Sequence, residues 1–160
     1  MLAARAEVVA RANGSERTIP IDELLQGPFT TSLEPNEILT EVHVPDPGAR
    51  AGGTYFKLER KVGDFATAGV AVHVSMSNGT VERAGIALTG VGPTYIRAKA
   101  AEEALAGHAL DDAAIDEASR LAAEAAQPRT DVRGTEEYKR NVIRVLTARG
   151  LRKVAEVVHA

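Results

Sequence analysis

Residues 68–88 alternate apolar with small or polar side chains on both sides of one Asn-Gly pair, and that pattern commits the stretch to paired strands. Val70, Val72, Val74 and Met76 fall on one side, Gly69, Ala71, His73 and Ser75 on the other. Successive side chains of a strand point to opposite faces, so a period of two means a strand buried on one face; a helix would scatter the valines around its axis. Asn78-Gly79 supplies the positive-φ pair of a two-residue hairpin, and the second arm runs from Val81 to Leu88. Two further strand signals stand upstream. Glu37 to Val44 places Ile38, Thr40, Val42 and Val44 on one face and Leu39, Glu41 and His43 on the other. Thr54 to Arg60 sets Phe56 and Leu58 against Tyr55, Lys57 and Glu59. Successive strand signals, the last two joined by a tight turn, predict an antiparallel sheet of about four strands.

Beyond Pro93 the period changes. Arg97 to Ala106 is alanine-rich and stops at Gly107, a usual helix end. Asp111 caps a run in which Ile115, Ala118, Leu121, Ala122 and Ala125 recur at helical spacing, until Gln127-Pro128 breaks it. Thr135 opens a long helix with Tyr138, Val142, Val145 and Leu146 on one side, which either runs on through Gly150 to Val154 and Val158 or bends there. Strands followed by helices predict an α+β fold, with three C-terminal helices packed on one face of the sheet. At the other end, Ala6–Arg11 and Glu16–Ile19 flank Asn13-Gly14 as a hairpin, and Pro20 leads into a helical turn, Ile21–Leu25. A lone hairpin is marginal in water, so this one must pair with something. The expected division is residues 1–30 as the last hairpin of another domain and 31–160 as a second domain, parted where Pro28-Phe29-Thr30-Thr31 breaks all periodicity.

Charge and composition narrow the chemistry. The 160 residues carry a formal net charge of −3, which gives no electrostatic reason to expect nucleic acid as a partner. There is no cysteine, which excludes disulfides, thiolate metal sites and a cysteine nucleophile. No apolar run approaches the length of a membrane span, and Arg5 and Glu7 interrupt the only stretch resembling a leader, so a soluble cytoplasmic protein is expected. His43, His73, His108 and His159 show no ligand spacing, Asp111-Asp112 reads as a helix cap, and no nucleophile elbow occurs. No catalytic acid, base or metal site is assigned. Aromatic residues make up only 4% of the chain, so valine, isoleucine, leucine and alanine must build the core.

Two residues leave the binary pattern. Leu39 projects from the mostly polar face of its strand, and Lys57 projects away from the core supplied by Phe56 and Leu58. Phe65, in the Gly63-Asp64-Phe65 turn, adds an exposed ring. An aliphatic group, a cation and an aromatic ring around one cleft suit a planar ligand with polar edges.

The Glu37-Ile38-Leu39 run, the Tyr55-Phe56-Lys57 strand, the Gly63-Asp64-Phe65 turn, the Gly85–Pro93 stretch and Thr135–Arg140 together closely resemble a known family. It is the C-terminal domain of the flavoprotein (medium) subunit of carbon monoxide dehydrogenases, in the xanthine oxidase group of molybdenum hydroxylases. The resemblance implies a subunit of an oxidoreductase complex in which electrons pass from molybdopterin through [2Fe–2S] clusters to FAD. It implies FAD contacts at Leu39, Lys57 and Phe65, with Asp64 shaping the turn; some members have tyrosine where this chain has Phe65. The implied partners are a molybdenum-cofactor large subunit, an iron–sulfur small subunit and an N-terminal FAD-binding domain. In the family that domain grips the diphosphate with two glycine-rich loops, through backbone N–H groups. No such loop occurs here, and Gly90-Val91-Gly92-Pro93 has proline where a donor is needed, so the FAD site expected in this chain is incomplete. The chain then resembles a truncated or separately encoded C-terminal portion. The alternative is a docking module of the same fold that binds no flavin by itself, and an exposed hairpin edge offers a route to a homo-oligomer.

Overall fold

The computed structural model describes residues 1–158. Strands β1 (Glu7–Ala12) and β2 (Ser15–Pro20) pair antiparallel, with Glu7 opposite Pro20 and Ala12 opposite Ser15. Their turn places Gly14 at φ 78°, the left-handed region that glycine enters without steric cost. A single helical turn, α1 (Ile21–Leu24), leads to a small hairpin of β3 (Leu25–Gly27) and β4 (Thr30–Thr31). Strand β5 (Ile38–His43) then returns along the other edge of β1, giving the order β2-β1-β5.

That pairing corrects the expected strand order. Residues 37–44 do not open the four-stranded sheet; they complete the N-terminal one, and pairing runs past residue 30. The hairpin has found its third strand within this chain. The expected faces of β5 also change. A register shift sets Val9 opposite Glu41 and Ala10 opposite Leu39, leaving Thr40 as the extra residue. A bulge of this kind breaks strict alternation. Leu39 thereby joins the side of Val8 and Ala10 and packs on a small core with Ile19 and Leu24, while Ile38 stands 70% exposed.

The larger sheet has β6 (Ala51–Leu58), β7 (Ala68–Ser77), β8 (Thr80–Thr89) and the short β9 (Ile96–Arg97) in sequence order, all antiparallel. Val70, Val72, Val74 and Met76 face the core, as their period requires, beside Ile86 and Leu88 from β8. Helices α2 (Lys99–Leu105), α3 (Asp112–Ala125) and α4 (Glu136–Val158) close this core from one side. Helix α4 lies across β6 and β7, α2 on β8, and α3 against both helices. The Asp111 side chain accepts from Ala114 N at 2.9 Å and starts α3. Helix α4 continues without interruption through Gly150, where a side chain would meet Val72 Cγ2 at 2.9 Å, so the glycine sets how closely helix and sheet approach. The buried stripe of α4 is Lys139, Ile143, Leu146, Thr147, Gly150, Leu151, Val154 and Val158. Tyr138 and Val145, expected on it, stand 48% and 38% exposed, because that stripe is offset by one position from the expected side.

The two sheets are bolted together by the first six residues. The Ala3 carbonyl rests against Gly85, where a Cβ would lie 1.8 Å from its oxygen. Arg5 donates to Ala84 O at 3.0 Å and to Glu102 Oε2 at 3.2 Å. The Glu102 carboxylate, only 4% exposed, also accepts from Ile86 N at 2.9 Å and from Arg97 Nε at 2.8 Å, and Arg97 reaches Asp22 at 3.1 Å. One buried carboxylate thus holds α2, β8, β9 and, through arginines, the N-terminal segment and α1. Satisfied on all sides, it avoids the cost of a lone buried charge.

Candidate functional site

Helices cover one face of the larger sheet; the other face forms the floor of a cleft. Antiparallel register sets Tyr55 opposite Ala71 and Lys57 opposite Gly69 on this uncovered side, with Ala87 across from Ala71. Small residues here leave depth that the valine face could not. Met1, Leu2, Ala3 and Ile21 wall the hollow on the N-terminal side, and its volume is about 690 Å³. A second hollow of about 430 Å³ adjoins it, sharing Leu25, Phe65, Thr89 and Tyr95 and reaching Phe29 at the tip of the β3–β4 hairpin. These dimensions suit a cofactor ring system.

The chain has three tyrosines and three phenylalanines. Phe29, Tyr55, Phe65 and Tyr95 all line these two hollows, and each is exposed. Burying an aromatic ring is strongly favourable, yet this chain, poor in rings, leaves four of its six open in one cleft. Phe29 is held at φ 57°, a conformation that costs a non-glycine residue about 1–2 kcal/mol.

Lys57 and Asp64 give the cleft its charge. The Lys57 ammonium lies 2.5 Å from Glu59 Oε2, off the line of a directed hydrogen bond, and donates to Asp64 O at 3.3 Å. The Glu59 carboxylate beside it raises the lysine above its ordinary pKa. Asp64 Oδ2 accepts from Arg60 Nε at 3.0 Å, and Oδ1 accepts from Phe65 N at 2.8 Å. The Arg60 guanidinium, aided by the Phe65 N–H, holds the Asp64 carboxyl below the usual carboxylate range. Asp64 is therefore ionised and acts as a bracket for the turn that presents Phe65.

Lys57, Asp64 and Phe65 thus meet in one cleft. Leu39 does not line it; the bulge in β5 turns that side chain into the N-terminal mini-core. Sequence reasoning missed Phe29, Tyr55 and Tyr95. The available signal was the aromatic scarcity itself, combined with the position of Tyr55 two residues before Lys57 on the same strand face. Among the described residues no group of His, Asp or Glu could hold a metal ion, and His159 lies outside them. Burial lowers the His73 pKa, with Arg83 adding to the effect. No described helix is long and apolar enough to cross a membrane.

A four-stranded antiparallel sheet with helices on one face and an aromatic, lysine-bearing cleft on the other defines the class of protein. The sequence model of the CO dehydrogenase flavoprotein C-terminal domain matches residues 53–154, and the chain belongs to this family. The FAD binding domain in molybdopterin dehydrogenase matches residues 1–47, so the two matches part where the two sheets part. Among individual proteins, the chain is 38% identical over 138 residues to the carbon monoxide dehydrogenase medium chain of Hydrogenophaga pseudoflava, covering 86% of this chain and 48% of that protein. It is 35% identical over 154 residues to the 6-hydroxypseudooxynicotine dehydrogenase complex subunit alpha of Paenarthrobacter nicotinovorans, covering 96% and 52%. The solved carbon monoxide dehydrogenase from Hydrogenophaga pseudoflava that lacks the Mo-pyranopterin moiety superposes with a TM-score of 0.91 at 40% identity, over 97% of this chain and 54% of that one. The chain spans about half the length of the curated relatives it matches.

Proposed function

We propose that this chain covers and positions the isoalloxazine end of an FAD within an oxidoreductase complex of the molybdenum hydroxylase type. The observation that carries the reading is the convergence of Phe29, Tyr55, Phe65 and Tyr95 with Lys57 on a floor of small residues. Its volume and aromatic lining fit a tricyclic ring with polar edges. The residues do not fit the diphosphate equally well: Pro93 interrupts the Gly90–Gly92 loop beside the cleft, and no other glycine-rich loop borders it. A neighbouring segment or chain grips the diphosphate in this reading. When bound, the flavin would supply the electron-accepting chemistry, with [2Fe–2S] clusters on a partner subunit as the electron source in this reading. The chain's own residues supply shape and charge: Phe65 and the tyrosines exclude water and contact the ring, Lys57 places a cation beside it, and Asp64 holds the turn. The names of the relatives, FAD-binding and medium subunits of multi-subunit dehydrogenases, support the assignment.

The test is purification of the chain co-expressed with the diphosphate-gripping segment and with molybdenum and iron–sulfur subunits, followed by analysis of FAD released on denaturation. Release of FAD from the complex is expected, and Phe65→Ala weakens flavin retention about tenfold, the size of one lost aromatic contact. A complex in which the chain still docks its partners but releases no FAD on denaturation would refute flavin binding and leave a pure assembly role.

A further inference from the structure

Three charged side chains outside the cleft, Lys139, Asp131 and Arg133, run in a line from the helical layer to Asp64 in the Phe65 turn. Lys139 in the first turn of α4 is 2% exposed. A buried ammonium must be paired, and its Nζ lies 2.8 Å from Asp131 Oδ2 and 2.8 Å from Arg129 O. Asp131 Oδ1 accepts from Arg133 N at 2.8 Å, and the backbones of Asp131 and Gly134 exchange two hydrogen bonds of 3.1 Å. The loop between α3 and α4 is thereby fixed as a tight turn presenting Arg133. Its guanidinium reaches across to Asp64 Oδ1 at 3.4 Å, the oxygen that also accepts from Phe65 N. The Arg133 Nε is covered and has no hydrogen-bond partner, so the pairing with Asp64 is what orients the head group.

We infer that Lys139, Asp131 and Arg133 are positioning residues for the cleft: they fix the Gly63–Phe65 turn from the helical layer and so set where the Phe65 ring stands. This rests on the flavin reading of the cleft proposed above. The physical need is plain. Phe65 is 82% exposed and Gly63 sits at φ 86°, so the turn has almost no apolar burial to hold it. Its order must come from hydrogen bonds to Asp64: Arg60 donates to the carboxylate from within the turn, Arg133 donates to it from outside, and Lys57 donates to the Asp64 carbonyl from β6. Arg60 moves with the turn; Arg133 is anchored, through Asp131 and Lys139, to a long helix lying on the core. Lys57 ties the Asp64 carbonyl to the sheet from β6, and Arg133 alone ties the Asp64 carboxylate to the helical layer. Lys139 and Asp64 lie far apart in sequence, so only the tertiary fold can link them.

The chain contains no tryptophan, so Phe65→Trp places a single indole reporter at the turn. In that background, in the full chain by itself, where this indole is the single one, acrylamide quenching and time-resolved anisotropy read the local mobility of position 65 independently of flavin. Arg133→Ala is expected to loosen the indole and, in the co-expressed complex, to raise the flavin dissociation constant up to about fivefold, the scale of one partly exposed ion pair. Arg133→Lys, which keeps the cation, restores much of both. Should Lys139→Met fail to fold, Asp131→Asn, in the exposed loop, asks the same question. Unchanged indole mobility in Arg133→Ala and Asp131→Asn would overturn the inference, whatever the flavin does. Mobility that responds, with a complex that holds no flavin, would uphold the positioning network and refute the flavin reading, so the two failures are separable.

Discussion

Replacing Gly85 by alanine asks whether the first six residues are a structural part of the domain. Gly85 lies on the cleft side of β8, and the added Cβ would fall 1.8 Å from Ala3 O, 2.7 Å from Ala3 C and 3.1 Å from Ala3 Cα. All three are backbone atoms, so no rotamer relieves the clash. The Ala3 carbonyl must retreat by about 1.2 Å merely to reach 3.0 Å, the shortest separation a real Cβ shows. That retreat strains the bonds from Arg5 to Ala84 O and Glu102, which close the same segment onto the sheet. Overpacking of this kind costs about 1–3 kcal/mol. For a domain of this size each kcal/mol lowers Tm by about 2–4 °C, so a fall of roughly 2–12 °C is expected. The same movement exposes Ala6, now 1% exposed, and widens the cleft on the side walled by Leu2 and Ala3. Thermal unfolding gives the first readout, and hydrogen exchange of the Arg5 and Ala6 amides, which bond to Leu2 O and Met1 O, gives the second. Gly150→Ala is the contrast: its Cβ meets the methyls of buried Val72 at 2.9 and 3.4 Å rather than backbone, so its crowding, offset in part by about 1 kcal/mol of helix propensity, leaves the Arg5 and Ala6 amides protected. An unchanged Tm with unchanged exchange at Arg5 and Ala6 in Gly85→Ala would refute the argument.

Thr147 is wholly buried and its hydroxyl has no hydrogen-bond partner, so the nearly isosteric Thr147→Val should stabilise the protein by about 1 kcal/mol, read as a higher Tm; a lower Tm would show that the hydroxyl has a partner. Glu37 carries a testable pKa: two 2.7 Å bonds from Arg17, with the Glu34 N–H, pull its carboxyl from 4.5 to about 2. A depressed carboxylate stabilises the folded state above its unfolded pKa, and that contribution is lost as pH falls from about 4.5 through about 2. The tie between β2 and the loop before β5 should therefore survive at pH 5 and fail in strong acid, and an NMR titration of Glu37 with a midpoint above 4 would contradict it.

How much of this was written in the sequence follows from which forces are local. Alternation from Gly69 to Leu88 determined two strands and their buried faces, because side-chain direction along a strand depends only on the strand. Asn13-Gly14, Asn78-Gly79 and Asp111 determined two hairpins and a helix start, because positive φ and capping are satisfied within a few residues. The turn carrying Asp64 and Phe65 was legible for the same reason. Tertiary structure alone decided which sheet Ile38–His43 joins, since β1 and β6 both offer an edge and only packing chooses between them. It also decided, through the bulge at Thr40, that Leu39 turns to the mini-core. Lys139 reads as a surface cation in any helical pattern; only a loop folded back against α4 gives it a carboxylate and makes burial tolerable. The gathering of Phe29, Tyr55, Phe65 and Tyr95 into one cleft likewise depends on two sheets meeting, and no spacing within either one encodes it.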